Sequence, residues 1–172
     1  MLQRGRTRLR TPARLDGTDR RLVIALSLDG RRSAADLAKE LGLSRQAVAG
    51  RIHELERRGV IRGFRADVDP GVLGLAVRAQ VRLTLDGSAG PAREREVRRR
   101  LTRNPMVRAV HRVSGEDCFV AQVLCRRIED VTALLAELQA TRGVQSSRTA
   151  FVLETVLDRG GLGPVDAALV SE

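Results

Sequence analysis

The sequence predicts an α+β chain of two domains, a helical unit followed by a sheet unit of βαββαβ order. Three observations carry this. Apolar residues between Leu15 and Leu55 recur three and four positions apart, the spacing of amphipathic helices. From Val77 the period becomes two, with Val77, Ala79, Val81, Leu83 and Leu85 alternating with Arg78, Gln80, Arg82 and Thr84. Between the two patterns stands Asp69-Pro70-Gly71, a strong break. A chain of 172 residues has room for two small domains of this kind.

Residues 1–14 carry Arg4, Arg6, Arg8, Arg10 and Arg14 with no acid, and are expected to form a basic disordered arm. The helical domain is assigned to residues 15–61. Asp16 and Asp19 suit the start of a first helix with Leu22, Val23 and Leu26 inward, and Leu15 staples its entry. Ser33, three residues before Asp36, opens a second helix as a capping box, with Leu37, Ala38 and Leu41 on its inner face. Gly42 supplies the turn, and Ser44 caps a third helix whose apolar residues are Val48, Ile52 and Leu55. Gly59 stops it. Two helices cross closely only if the first presents a small side chain, here Ala38, and the turn accepts a positive φ. That is helix-turn-helix geometry, whose second helix enters the DNA major groove. Its outward residues Ser44, Arg45, Gln46, Gly50, Arg51, His53 and Glu54 include side chains that read base edges, Arg for guanine and Gln for adenine. Ser44, Arg45, Gln46, Gly50, Arg51 and His53 are therefore the candidate DNA-binding residues, with Ser44 near a phosphate and Arg51, Arg45 and Gln46 facing the groove.

Residues 62–75 read as a linker strand and hinge, with a short strand over Val60-Ile61 and Phe64–Val68. Residues 76–156 form the second domain. After the Val77–Leu85 strand, Pro91 opens a helix bearing Val97 and Leu101, laced by Glu94–Arg98 and Glu96–Arg100 pairs. Met106–Val113 and Asp117–Cys125 form a hairpin around Ser114-Gly115-Glu116. Ile128, Val131, Leu134, Leu135 and Leu138 mark a second helix closed by Gly143, and Ser147–Thr155 is the last strand. This order is that of a ferredoxin-like half-open sandwich, with two helices on one sheet face and the other face free to meet a partner. Residues 157–172, with Gly160-Gly161-Leu162-Gly163-Pro164, read as a flexible tail. Their glycines lack the strand-turn-helix frame of a dinucleotide site.

The formal net charge is +10, and residues 1–75 hold a net +7 of it, with 16 basic and 9 acidic side chains. A polyanionic partner is thus expected at the helical half. Cores must be aliphatic, since there are three Phe, no Tyr and no Trp. Cys118 and Cys125 lie an odd spacing apart on one expected strand and so do not pair with each other there. No CxxC, HExxH, GxSxG or P-loop motif is present, so neither metal nor cofactor is expected. No apolar run has membrane length, and the polar Arg-rich beginning is unlike a signal peptide, so a cytoplasmic protein is expected.

Four stretches together resemble the Lrp/AsnC family of bacterial and archaeal regulators: LDGTDRRLVIALSLDGRRSAADLAKELGLS, RIHELERRGVIRGFRADVDPGVLG, VSGEDCFVAQV and GVQSSRTAFVL. The likeness runs from about Leu15 to Thr155 and adds a winged-helix-like character to the first domain. It implies a DNA-binding transcription factor that dimerises through its C-terminal sheets, assembles further to octamers, and responds to an amino acid or related metabolite. A dimer would bind a pseudo-palindromic operator on double-stranded DNA. The family's Gly-acid-Tyr-Asp turn aligns with Gly115-Glu116-Asp117-Cys118 and its Thr-x-Thr with Ser147-Arg148-Thr149, making Gly115, Glu116, Asp117, Cys118, Ser147 and Thr149 the effector candidates. The turn would offer backbone N–H groups to a carboxylate, an acid would take the ammonium, and the hydroxyls would complete the shell. Cys118 in place of Asp removes one anionic partner. An alternative is a tetrapyrrole (sirohaem) decarboxylase-like enzyme, which resembles this domain pair. Against it, His111 is the only histidine of the second domain and no tyrosine is present.

Overall fold

The computed structural model describes residues 14–88 and 90–157, so the expected arm and tail, apart from Arg14 and Leu157, lie outside the described residues. The chain divides into two compact units, with residues up to Asp67 in the first and Val68–Val156 in the second.

The first unit has three helices, α1 (Gly17–Leu28), α2 (Ala34–Leu41) and α3 (Arg45–Arg57). Each begins where a side chain accepts one of the helix's orphan N–H groups. Asp16 accepts from Asp19 N at 2.7 Å, Ser33 from Asp36 N at 3.1 Å and Ser44 from Ala47 N at 3.1 Å. Gly42 ends α2 at φ +68°, the left-handed conformation that a turn into α3 requires. Leu22, Ala25, Leu26, Leu37, Ala38, Val48 and Leu55 form the core. Ala38 is buried where the two helices of the motif meet, so the close crossing rests on a side chain with no reach.

The expected strand over Val60-Ile61 and Phe64–Val68 is absent. The backbone N–H groups of Val60 and Ile61 turn back onto Leu55 O, at 2.9 and 3.2 Å, and no ladder forms before Val77. A strand needs an edge to pair with, and among the described residues this unit contains none. Phe64 packs its ring against Gly30 instead, close enough that a Cβ there would sit 3.2 Å from it. A 3-10 turn over Pro70–Leu73 follows, capped by Asp69, whose carboxylate accepts from Gly71 N at 2.8 Å.

The second unit runs β1 (Val77–Leu85), α4 (Pro91–Arg103), β2 (Val107–Arg112), β3 (Phe119–Cys125), α5 (Ile128–Gln139) and β4 (Val144–Phe151). The sheet order is β2-β3-β1-β4, every neighbouring pair antiparallel, which is the ferredoxin-like arrangement. Val97 and Leu101 of α4 and Val131, Leu134 and Leu138 of α5 cover one sheet face, made of Ala79, Val81, Leu83, Phe119, Ala121, Val123 and Cys125. Burying each of these larger side chains is worth about 1.5–3 kcal/mol.

Two details differ from the sequence reading. β4 starts at Val144 and ends at Phe151, because its length is set by β1, whose register runs from Leu85↔Val144 to Ala79↔Phe151. Alternation also fixes what each side chain faces. Arg78, Gln80, Arg82, Thr84, Val120, Gln122 and Leu124 lie opposite the core-facing residues, so the free sheet face mixes polar and apolar side chains. Phe151 shares the register position of core-facing Ala79 and therefore lies on the helix side.

Candidate functional site

Helix α3 buries Val48 and Leu55, which fixes everything else on it. Gln46, Gly50, His53 and Arg57, spaced four, three and four apart, form one outward stripe and all are exposed. Arg45 is exposed at the helix start beside the Ser44 cap. Among the described residues, Arg45, Gln46 and His53 make no side-chain hydrogen bond or ion pair, and an added Cβ at Gly50 would meet nothing within 4 Å. A glycine in an exposed helix interior costs about 0.5–1 kcal/mol relative to alanine, and no contact within the chain calls for it.

Arg51 is placed differently from the reading of the sequence. It stands three residues after Val48 and four before Leu55, which puts it on the flank of the buried stripe rather than the outward one. Its Nη1 donates to Asp16 Oδ2 at 2.6 Å and to Asp19 Oδ1 at 2.7 Å, both at the start of α1. Arg58 completes the group, 3.7 Å from Asp19 Oδ2 and donating to Arg14 O at 2.6 Å. These contacts hold the Asp16 carboxyl below its usual range, through the Asp19 N–H first and Arg51 next, and they raise Arg51. Arg57, on the outward stripe, was missed from sequence. Its fork grips Glu54 at 2.7 and 2.6 Å, an ordinary i, i+3 pair that gave no signal of its own.

In the second unit, Gly115 lies at the tip of the β2–β3 connection at φ +108°, with nothing within 4 Å of an added Cβ. The connection closes through Val113 N to Cys118 O at 3.2 Å. Cys118 is tied to β1 from both sides, donating its N–H to Leu83 O at 2.8 Å and accepting at Sγ from Leu85 N at 3.4 Å. Leu83 in turn pairs with Ser147 of β4, so the turn and β4 flank one end of β1. Glu116 reaches Arg148 at 3.7 Å across that end. The hydroxyls go the other way. Ser147 Oγ accepts from Gln139 of α5 at 2.9 Å, and Thr149 Oγ1 is buried without a partner. The effector candidates are thus divided: Glu116 faces Arg148 of β4, while Ser147 and Thr149 share the register of core-facing Leu83 and Val81, and Cys118 packs against the helix-side core. An open groove of about 500 Å³ between α4 and α5, lined by Glu96, Arg99, Arg100, Arg103 and Glu137, contains none of them.

Both cysteines are free thiols. Cys125 is buried, and desolvation pushes its pKa up. Among the described residues no group of His, Cys, Asp and Glu is arranged to hold a metal ion, and no helix is long and apolar enough to cross a membrane.

The family model described as AsnC-type helix-turn-helix domain matches residues 15–56, and that described as Lrp/AsnC ligand binding domain matches residues 78–162. The chain is 33% identical to the HTH-type transcriptional regulator AldR of Mycolicibacterium smegmatis, over 81% of this chain and 82% of that one. The chain belongs to the Lrp/AsnC family. It is similar to the leucine-responsive regulatory protein of Rhizobium meliloti at 31% identity, covering 84% of this chain and 92% of that one. The solved structure of Escherichia coli AsnC superimposes with a TM-score of 0.76 at 26% identity, covering 86% of this chain and 98% of that chain. This Lrp/AsnC protein is a DNA-binding transcriptional regulator, with a helix-turn-helix region followed by the family's ligand-binding domain. These similarities lend nothing to the tetrapyrrole decarboxylase alternative.

Proposed function

We propose that this regulator reads DNA with the outward side of α3, through Ser44, Arg45, Gln46, Gly50 and His53. One observation carries the reading: Gln46 and His53 stand exposed and unbonded on that stripe while Arg51, Arg57 and Arg58 beside them are engaged within the chain. Base edges need donors and acceptors that are not already committed. The test uses a duplex selected by the wild-type protein from a random library, with a random duplex of equal length as reference. Gln46→Ala should weaken binding to the selected duplex by about 1–3 kcal/mol and leave the random duplex nearly unchanged. Equal loss on both would assign Gln46 to the backbone instead.

Control by an amino acid or related small metabolite fits the ligand-binding domain, and the relative named a leucine-responsive regulatory protein supports it. The turn Gly115-Glu116-Asp117-Cys118, exposed at Gly115 and Glu116 and half-buried at Asp117 and Cys118, is the part of the second unit best suited to it. Gly115 lets a carboxylate approach the backbone, and Glu116 and Asp117 offer acceptors for an ammonium. Ser147 and Thr149 would join only from the helix side of the sheet. Calorimetric titration with the twenty amino acids should show binding to wild type and not to Gly115→Val. Equal binding by the variant would move the site elsewhere.

Pairing of two copies through the sheet face that the helices leave free would give the two-fold symmetry of a pseudo-palindromic operator, and such dimers would build the octamer. Val120 lies on that face and Phe151 does not. Sedimentation should therefore show Val120→Asp reducing association while Phe151→Asp leaves it intact.

A further inference from the structure

The start of helix α1 carries two carboxylates, Asp16 at the cap and Asp19 in the first turn, and each of their four oxygens faces a partner. Asp16 Oδ1 caps α1 through Asp19 N, and Asp16 Oδ2 takes Arg51. Asp19 Oδ1 takes Arg51 as well, and Asp19 Oδ2 faces Arg58. Asp19 is 8% exposed, the one buried acid among the described residues, so it is held in place by packing as well as by charge. Two acids in a domain whose partner is a polyanion work against association by their charge. Their contacts to Arg51 and Arg58 bear instead on how α3 is held.

We propose that Asp16 and Asp19 are positioning residues for DNA reading, which act through Arg51 and Arg58 by fixing the rotation and crossing of α3 on α1. Arg51 is then a positioning residue too, and the base-edge contacts belong to the stripe of Gln46, Gly50 and His53. The geometry suits this role. Arg51 lies midway along α3 and Arg58 at its end, so the two clamp the helix at points seven residues apart, about 10 Å along its axis. A helix held at one point still pivots. Held at two points on one flank, it keeps the same stripe turned outward. Charge-assisted bonds from a guanidinium are directional, which apolar packing by Val48 and Leu55 is not.

The inference rests on the reading of α3 as the DNA-reading helix, and it is separable from that reading by the sign of one effect. Removing a carboxylate from a DNA-binding domain raises affinity for every duplex if the acid acts by charge alone, and frees Arg51 to bind DNA if Arg51 is a reader. Removing a positioning acid lowers affinity for the selected duplex only. Asp16→Asn and Asp19→Asn are to be compared with wild type in the full chain, on the selected and random duplexes, across a salt series. Asp16→Asn is the safer variant, because Asn caps a helix as well as Asp does and the Asp16 side chain is 53% exposed. Binding is measured below the thermal midpoint of each variant, so that a folded population is compared with a folded population.

The expected result is a loss of about tenfold on the selected duplex, comparable to one lost base contact, with the random duplex bound as tightly as before or more tightly. Arg51→Lys, which keeps the charge but lacks the planar guanidinium, should share the loss of selectivity while its salt slope stays that of wild type. Selected-duplex affinity that is unchanged or raised in both Asp variants overturns the proposal. If Gln46→Ala destroys selectivity while the Asp variants keep it, the positioning role alone fails. If Gln46→Ala keeps selectivity, the reading of α3 fails and the proposal with it.

Discussion

Helices α3 and α4 are each 13 residues long and both rich in arginine, yet their charges are used in opposite ways. On α4 the shortest pairs are made on the helix itself, while Arg100 also lies 3.5 Å from Glu137 of α5 and Glu94 lies 3.6 Å from Arg112 of β2. Glu94 binds Arg98 at 2.8 Å, while Glu96 binds Arg99 at 2.7 Å and Arg100 at 2.9 Å, all three or four residues apart. On α3 the acids that matter belong to another helix, 35 and 32 residues away in sequence. A local pair stabilises its own helix by a few tenths of a kcal/mol and says nothing about tertiary structure. A pair spanning two helices fixes their relation. Composition alone would rank α4, with six arginines, as the better polyanion-binding helix. What distinguishes the two is that α3 belongs to the helix-turn-helix domain and α4 does not.

The sharpest way to break this contrast is to delete one arginine from each. Arg51→Ala leaves Asp19, whose side chain is 11% exposed, without its closest cation. Uncompensated buried charge is costly, but Arg51 is 37% exposed and water screens part of the loss, so a destabilisation of about 1–3 kcal/mol is expected. Urea denaturation followed by circular dichroism measures it. A change below about 0.5 kcal/mol, the scale of a surface pair, would place Arg51 in the same class as the arginines of α4.

Gly50→Ala sharpens the contrast from the other side. Nothing within the chain occupies the space of an added methyl group, so the substitution should stabilise the unit by about 0.5–1 kcal/mol through helix propensity. If DNA approaches the stripe closely, the same methyl weakens binding to the selected duplex. Opposite signs in denaturation and in DNA titration are the expected outcome. Affinity that holds steady while stability rises would show that Gly50 is merely tolerated.

How far these roles were legible in sequence depends on whether a partner was local. The three N-terminal helices, β1, α4 and α5 followed from apolar spacing and capping residues such as Ser33, Ser44 and Pro91. The boundary of β4 did not. Residues 144–151 alternate only weakly, while the apolar run from Phe151 to Leu153 drew the expected strand three residues late, and only the ladder with β1 corrects it. The strand expected over Phe64–Val68 had suitable composition but no edge to join. The flank position of Arg51 was readable from its spacing to Val48 and Leu55. That Asp16 and Asp19 would meet it there was not, because two helices must first pack to bring them together. The split of Ser147 and Thr149 from Glu116 likewise follows from sheet register, which sequence order does not contain.

On α4 single deletions should barely register. Arg99→Ala removes one of two arginines on Glu96, and Arg100 keeps the carboxylate paired, so a loss of about 0.2–0.5 kcal/mol is expected in the same urea assay. A loss above about 1 kcal/mol would mean that the helix has a tertiary role comparable to that of α3.

The smallest effect is a titration. Hydrogen bonds from Arg99 first and Arg100 next lower the Glu96 carboxyl from 4.5 to about 2. A depressed folded-state pKa contributes stability that is fully present above the unfolded value and is lost as pH falls through the folded one. For Glu96 that window runs from about 4.5 down to about 2, and because the group lies at the surface the change in stability across it should be slight. The carboxyl carbon resonance of Glu96 should titrate near 2 in wild type and move toward the ordinary glutamate value in Arg99→Ala. Asp16 is also held below its ordinary 3.8, by the Asp19 N–H first and Arg51 next, and because it bridges to Arg51 of another helix, acid below that value should loosen the α1–α3 clamp. A wild-type Glu96 that titrates at 4.5 would show that the pairs on α4 do not persist in solution, and the contrast would then rest on α3 alone.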